Sequence, residues 1–112
     1  MPRSEAVPIL RVADAAASLA WYERLGYEKE WEHRFEPAFP VFMAVSRQGD
    51  ARLFLSEHSG DGVTGTLVHL AVEDAGALAA ALGGEVTAQP WGDELHLTDP
   101  DGNRFRIVTA RA

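Results

Sequence analysis

The stretch Gln89–Val108, QPWGDELHLTDPDGNRFRIV, decides the fold. Alternating apolar and polar residues predict two short strands in it, Asp93–Thr98 and Arg104–Val108. The five residues between them, Asp99-Pro100-Asp101-Gly102-Asn103, read as a turn, because Pro100 presets one φ and Gly102 takes a positive one. Trp91-Gly92 stands in front of the first strand. There Gly92 lets the backbone bend and leaves the indole exposed on a strand lip.

Upstream of this stretch, Thr66–Val72 reads as a strand and Asp74 as a helix N-cap. Ala75–Leu82 is then a short helix stopped by Gly83-Gly84, and Glu85–Gln89 leads into the closing pair. The first half of the chain runs through the same signals. Val7–Val12 is a strand, Asp14 an N-cap, and an Ala-rich helix runs to Leu25 and stops at Gly26, with Leu19, Tyr22 and Leu25 on its apolar face. Pro8 cannot donate to a ladder, so this first strand belongs at a sheet edge or leaves its sheet there. Tyr27–Arg34 reads as a strand with Tyr27, Lys29, Trp31 and His33 on one side. Phe35–Pro40 is an aromatic, proline-containing lip, and Val41–Ser46 and Arg52–Ser56 form a hairpin through Gln48-Gly49-Asp50. Glu57–Gly65 is a polar, Gly-rich junction.

Two matching helix starts (Asp14, Asp74) and two matching stops (Gly26, Gly83) predict a duplicated unit of strand, helix and three strands. The fold class is therefore α+β: one domain over residues 1–112, with tandem βαβββ modules at about 1–62 and about 63–112. One helix covers only one face of a four-stranded sheet. The other face, curved by strand twist, stays open as a groove that a ligand or a second subunit must close.

Composition narrows the partners. With 112 residues, 46% of them hydrophobic, the chain can bury one real core. A net charge of −7 and a pI of about 4.9 argue against nucleic acid and anionic membranes, and favour neutral or cationic ligands. The absence of cysteine excludes disulfides, thiolate metal sites and a Cys nucleophile. MPRSEAVPIL lacks the apolar core of a signal peptide, and no run reaches membrane-spanning length, so a cytoplasmic protein is the expectation.

The order Pro-Trp-Gly, strand, Asp-Pro-x-Gly-Asn, apolar strand resembles the C-terminal end of the glyoxalase/bleomycin-resistance family, the vicinal oxygen chelate superfamily. AVPILRVADAAASLAWYERLGYE is similar to that family's first strand and helix, and WEHRFEPAFP and LFLSEHSGDG to the middle of its bleomycin-resistance-like members. The resemblance implies that metal-dependent members hold a divalent ion through one side chain on the first and fourth strand of each module. Carried over, those positions fall at Val7, at Phe54 or a neighbour, at Leu67 and at Arg106. Three have no lone pair to offer and the fourth is cationic, so the usual metal site is missing and no cofactor is expected. The resemblance further implies a homodimer holding two drug molecules in grooves shared between subunits, and the Pro8 strand is a candidate for exchange between them. The region Trp31–Ser46 is spaced differently from that of the drug-binding members.

Among the remaining polar groups, strand alternation puts His69 on the groove side, and Glu94 and His96 together on one side of their strand. They read as groove walls, with a displaced Glu94/His96/His69 metal site as the alternative. His33 and His58 fall on exposed or loop positions. No catalytic nucleophile elbow or phosphate-cradling loop occurs. Trp31, Phe42 and Phe54 read more readily as core, whereas Trp91 reads as a lip residue. The candidate ligand-binding set is Trp91, Phe35, Phe39, Phe42, His69, Asp93, Glu94 and His96. Flat rings beside carboxylates suit a small planar cationic antibiotic of the bleomycin type. A glyoxalase-like lyase or dioxygenase, and an orphan metabolite-binding protein, are the competing functions.

Overall fold

The computed structural model describes residues 4–111. The first module comprises β1 (Ile9–Arg11), α1 (Ala15–Arg24), β2 (Glu28–His33), β3 (Phe42–Arg47) and β4 (Asp50–Ser56). The second comprises β5 (Leu67–Ala71), α2 (Ala75–Leu82), β6 (Thr87–Gln89), β7 (Gly92–Thr98) and β8 (Arg104–Ala110). The sheet orders, β1-β4-β3-β2 and β5-β8-β7-β6, are the same permutation, which is the duplication the sequence predicts. In each sheet the first strand joins the fourth in parallel and the other pairs are antiparallel.

Both helices begin where an aspartate accepts from the open backbone. Asp14 takes the N–H groups of Ala16 and Ala17, and Asp74 that of Ala77. Pro8 does keep β1 short and at the edge. Its carbonyl accepts from Phe54 N at 2.9 Å, while its missing N–H costs nothing on the outer side. The helix-facing sides of both sheets meet in one core, which includes Leu10, Tyr22, Val45, Leu55, Leu95 and Ile107. The molecule measures 21 Å along its shortest axis, the depth of a sheet layer plus a helix layer.

The modules are joined by the Asp99–Asn103 turn between β7 and β8. Tyr22 Oη donates to Asp99 Oδ2 at 2.7 Å, and the rings of Trp21 and Tyr22 pack on Phe105 at 5.9 and 5.7 Å. The Asn103 amide donates to Arg11 O in the first module and accepts from Gly65 and Thr66 N in the junction. Asp101 accepts from Ala13 N and Ser18 Oγ at the start of α1.

One expectation fails in β2. Tyr27 is buried, but Trp31 is 46% exposed and outside the core, because the register against β3 slips between Lys29 and Trp31. Lys29 pairs with the core residue Val45, while Trp31 pairs with Ala44. The extra residue of this β-bulge, Glu30, inverts the alternation and turns Trp31 and His33 onto the open face. Phe42 and Phe54, also expected inside, are only half-buried and lie on that same face.

Candidate functional site

Each sheet keeps one face clear of its helix, and the register defines what stands on it. Across the first sheet runs the row Ile9–Phe54–Ala44–Trp31, with Arg11–Ser56–Phe42–His33 as the next row. Trp31 stacks on Phe42 with centroids 6.0 Å apart and planes 22° apart, and Phe54 lies 5.8 Å from Trp31 and 5.0 Å from Phe42. Ala44, beneath them, is fully buried. The result is a three-ring platform extended by Ile9. At one end the platform meets Phe35, which contacts His33 edge-on at 4.7 Å and His58 at 6.5 Å. Phe35 and Phe39 are both exposed on the lip, as expected of them. At the other end Arg52 is clamped by Glu30 and Glu5 at 2.7–2.9 Å, which holds the Glu30 carboxyl below its usual range.

The second sheet carries the same row with different chemistry. Ile9 lies five residues before Asp14 and His69 five before Asp74, so the row Ile9–Phe54–Ala44 corresponds to His69–Arg106–His96. Beside it, Glu94 is largely buried. Its Oε1 accepts from the indole N–H of Trp91 at 3.0 Å, and its Oε2 lies 2.8 Å from His96 Nε2. The hydrogen bond with His96, then that from Trp91, lower the Glu94 pKa, and the charge of Arg106 adds to the pull. Trp91 is 58% exposed, so its indole is a lip residue tethered at one nitrogen.

The expected residues therefore divide between two faces. Phe42 lies on the first sheet with Phe35 and Phe39 in the loop after β2, whereas His69, Glu94 and His96 lie on the second with Trp91 just before β7. Asp93 joins neither face. It alternates to the helix side of β7, where Arg111 lies 3.4 Å away. Among the described residues no hydrogen bond or ring contact links the two open faces. The sequence reading missed Ile9 as part of the platform. Aligning the two modules on their N-caps would have found it.

The superfamily's metal positions do not fit an ion here. Val7, Phe54 and Leu67 offer no lone pair, and the Arg106 guanidinium is a fixed cation. A displaced Glu94/His96/His69 site does not form either. Arg106 stands on the strand between His69 and His96, and no three acidic or histidine side chains converge among the described residues.

Two of the surface concavities bear on ligand binding. The larger, about 590 Å³, lies between the β3–β4 tip and the start of α2. It is lined by no aromatic side chain, and its Arg47 already donates to Leu25 O at 2.9 Å, so it offers little to recognise a ligand. The smaller, about 230 Å³, sits on the open face of the second sheet among Leu67, His96, Thr98, Arg104 and Arg106.

A family model described as "Glyoxalase superfamily protein" matches residues 3–112. Among solved structures, the bleomycin-binding protein of bleomycin-producing Streptomyces verticillus, complexed with copper(II)-bleomycin, is 29% identical; the match covers 99% of each chain with a TM-score of 0.68. A bleomycin resistance determinant encoded on the transposon Tn5 is 26% identical over 98% of this chain and 100% of that one, with a TM-score of 0.70. The antibiotic-binding protein TnmS3 from Streptomyces sp. CB03234 has the same fold, with a TM-score of 0.76 at 21% identity over 99% of this chain and 100% of that one. Comparison with curated proteins finds no match.

Proposed function

The chain belongs to the glyoxalase superfamily, and on that premise we propose that it binds and sequesters a small planar antibiotic of the bleomycin type without transforming it. The observation that carries this reading is the platform of Trp31, Phe42 and Phe54. Three rings and Ile9 lie together on a sheet face that no helix or strand among the described residues covers. An uncovered aromatic surface costs free energy in water and gains it by stacking on a flat guest. The bleomycin-binding protein of Streptomyces verticillus holds its drug on the same architecture. The absence of a metal-competent residue at the four superfamily positions supports binding over lyase or dioxygenase chemistry.

A homodimer completes the reading. The platform and the Trp91 lip stand on the open faces of different modules, which no hydrogen bond or ring contact links among the described residues, and a second copy can set one against the other so that a guest lies between them. Light scattering should give twice the chain mass at micromolar concentration.

The deciding experiment is a calorimetric titration with metal-free bleomycin. About half of the Trp31 ring remains for a guest to cover, so Trp31→Ala should weaken binding by about 1–2 kcal/mol. Trp91→Ala should weaken it by about 1–3 kcal/mol and leave the melting temperature nearly unchanged. Mass spectrometry should recover the drug unaltered after incubation. No heat of binding, or affinity that neither variant moves, sinks the proposal.

A further inference from the structure

The duplication supplies an internal control for one side chain. Arg52 and Arg104 occupy equivalent places, two residues before Phe54 and Arg106 on the fourth strand of each module. In the first module the guanidinium is neutralised twice, by Glu30 and by Glu5. In the second, Arg104 faces Leu67 on one side and Thr98 on the other, neither of them charged. Arg106, the next residue along the same face, stands between His69 and His96, and the nearby Glu94 carboxylate is taken up by His96 and Trp91.

Hydrogen bonding sharpens the contrast. Arg11, Arg24, Arg34, Arg47, Arg52 and Arg111 all donate a side-chain N–H to an acceptor. Arg104 and Arg106 donate none among the described residues. Both are exposed, two residues apart on one strand and so on the same face, and they share the cavity of about 230 Å³ with His96, Thr98 and Leu67. Two unspent guanidinium forks, a hydroxyl and two imidazoles on one face form a recognition surface for oxygen anions, in a chain whose net charge is −7. The sequence expectation of a cationic guest held by Asp93 and Glu94 takes no account of this surface.

We propose that Arg104 and Arg106 form an oxyanion seat that receives a carboxylate of the bound molecule, with Leu67 as its apolar wall and Thr98 as an added donor. The inference rests on the aromatic platform proposed above and takes its flat guest to be an aromatic small molecule that carries a carboxylate, in place of a cationic one. Ring and carboxylate would be read by different modules, the ring by the platform and the anion by the seat.

The test uses the full chain and simple probes. Calorimetry compares 1-naphthoate, 1-naphthamide, 1-naphthylmethylamine and inorganic sulfate on the wild type, Arg104→Gln and Arg106→Gln. The expected result is naphthoate binding about tenfold tighter than the isosteric amide, with the amine weakest, and loss of that preference in either variant at an unchanged melting temperature. Sulfate should compete with naphthoate in the wild type alone. Equal affinities for acid and amide, preference for the amine, no binding of naphthoate, or naphthoate affinity unmoved by both substitutions overturns the seat. Bleomycin binding that Trp31→Ala weakens, together with naphthoate affinity that the arginine variants leave unchanged, overturns the seat while the platform stands. Sulfate binding that depends on both arginines, with no gain from an attached ring and no bleomycin binding that Trp31→Ala weakens, keeps the seat and refutes the platform.

Discussion

Replacing Asn103 with leucine keeps the side-chain volume nearly constant and deletes every hydrogen bond of one fully buried amide. Its Oδ1 accepts from Gly65 N at 3.2 Å and Thr66 N at 3.1 Å, and its Nδ2 donates to Arg11 O at 3.2 Å and Asp99 Oδ2 at 3.0 Å. Asp99 tolerates the loss, because Tyr22 Oη and the backbone N–H groups of Asp101 and Asn103 still donate to its carboxylate at 2.7–2.8 Å. The remaining three groups have no such reserve. Each bond is worth about 1 kcal/mol net, and a buried group left unpaired costs about 1–3 kcal/mol. Gly65 and Thr66 are half-buried, so water recovers part of the loss there. The sum for Asn103→Leu is about 3–4 kcal/mol, or roughly 10–20 °C in melting temperature for a domain of this size. Urea denaturation at constant temperature, followed by circular dichroism, measures it directly, and the slope should stay near the wild-type value. A loss below about 1 kcal/mol would refute the argument, because it would mean that the bridge between Arg11, the junction and the closing turn holds nothing together.

Gly92→Ala should destabilise by about 1–3 kcal/mol or more, since φ is +151° there and an added Cβ would sit 2.3 Å from Thr109 O; a melting curve that matches wild type contradicts the geometry. Both tyrosines of the chain are buried: burial pushes Tyr27 up to about 12, against a pull from Arg47, and burial plus the bond to Asp99 raises Tyr22 further. Ultraviolet titration should therefore show no tyrosinate near pH 10 while the protein is folded. Stability should be intact below about pH 10 and fall as pH rises towards 12. The Glu94 carboxyl, held low first by His96, should titrate below 4.5 by NMR and move back up in His96→Ala. The stability linked to it is present above the unfolded value and lost as pH falls through the lowered one, and this loss should shrink in the variant.

The sequence by itself determined the elements and their repetition. Asp14 and Asp74 start helices because a short carboxylate satisfies open N–H groups within one turn of itself, and Gly26 and Gly83 stop them because positive φ costs glycine nothing. Pro8 fixed an edge for an equally local reason, the missing donor. All of these depend on backbone sterics within a few residues, so a single chain read in order reveals them. The site followed other rules. Trp31 reads as core by alternation, and only the bulge at Glu30 turns it onto the open face; a bulge is a property of two paired strands and leaves no mark in one of them. Arg52 and Arg104 look alike in sequence. One is neutralised by Glu5, 47 residues away, and the other has no acceptor among the described residues, because side-chain pairing is settled by which strands become neighbours. Likewise the Asp99–Asn103 turn reads as a simple hairpin connection. Only the packed molecule shows that its buried side chains, reaching Tyr22, Arg11 and Thr66, join the two modules.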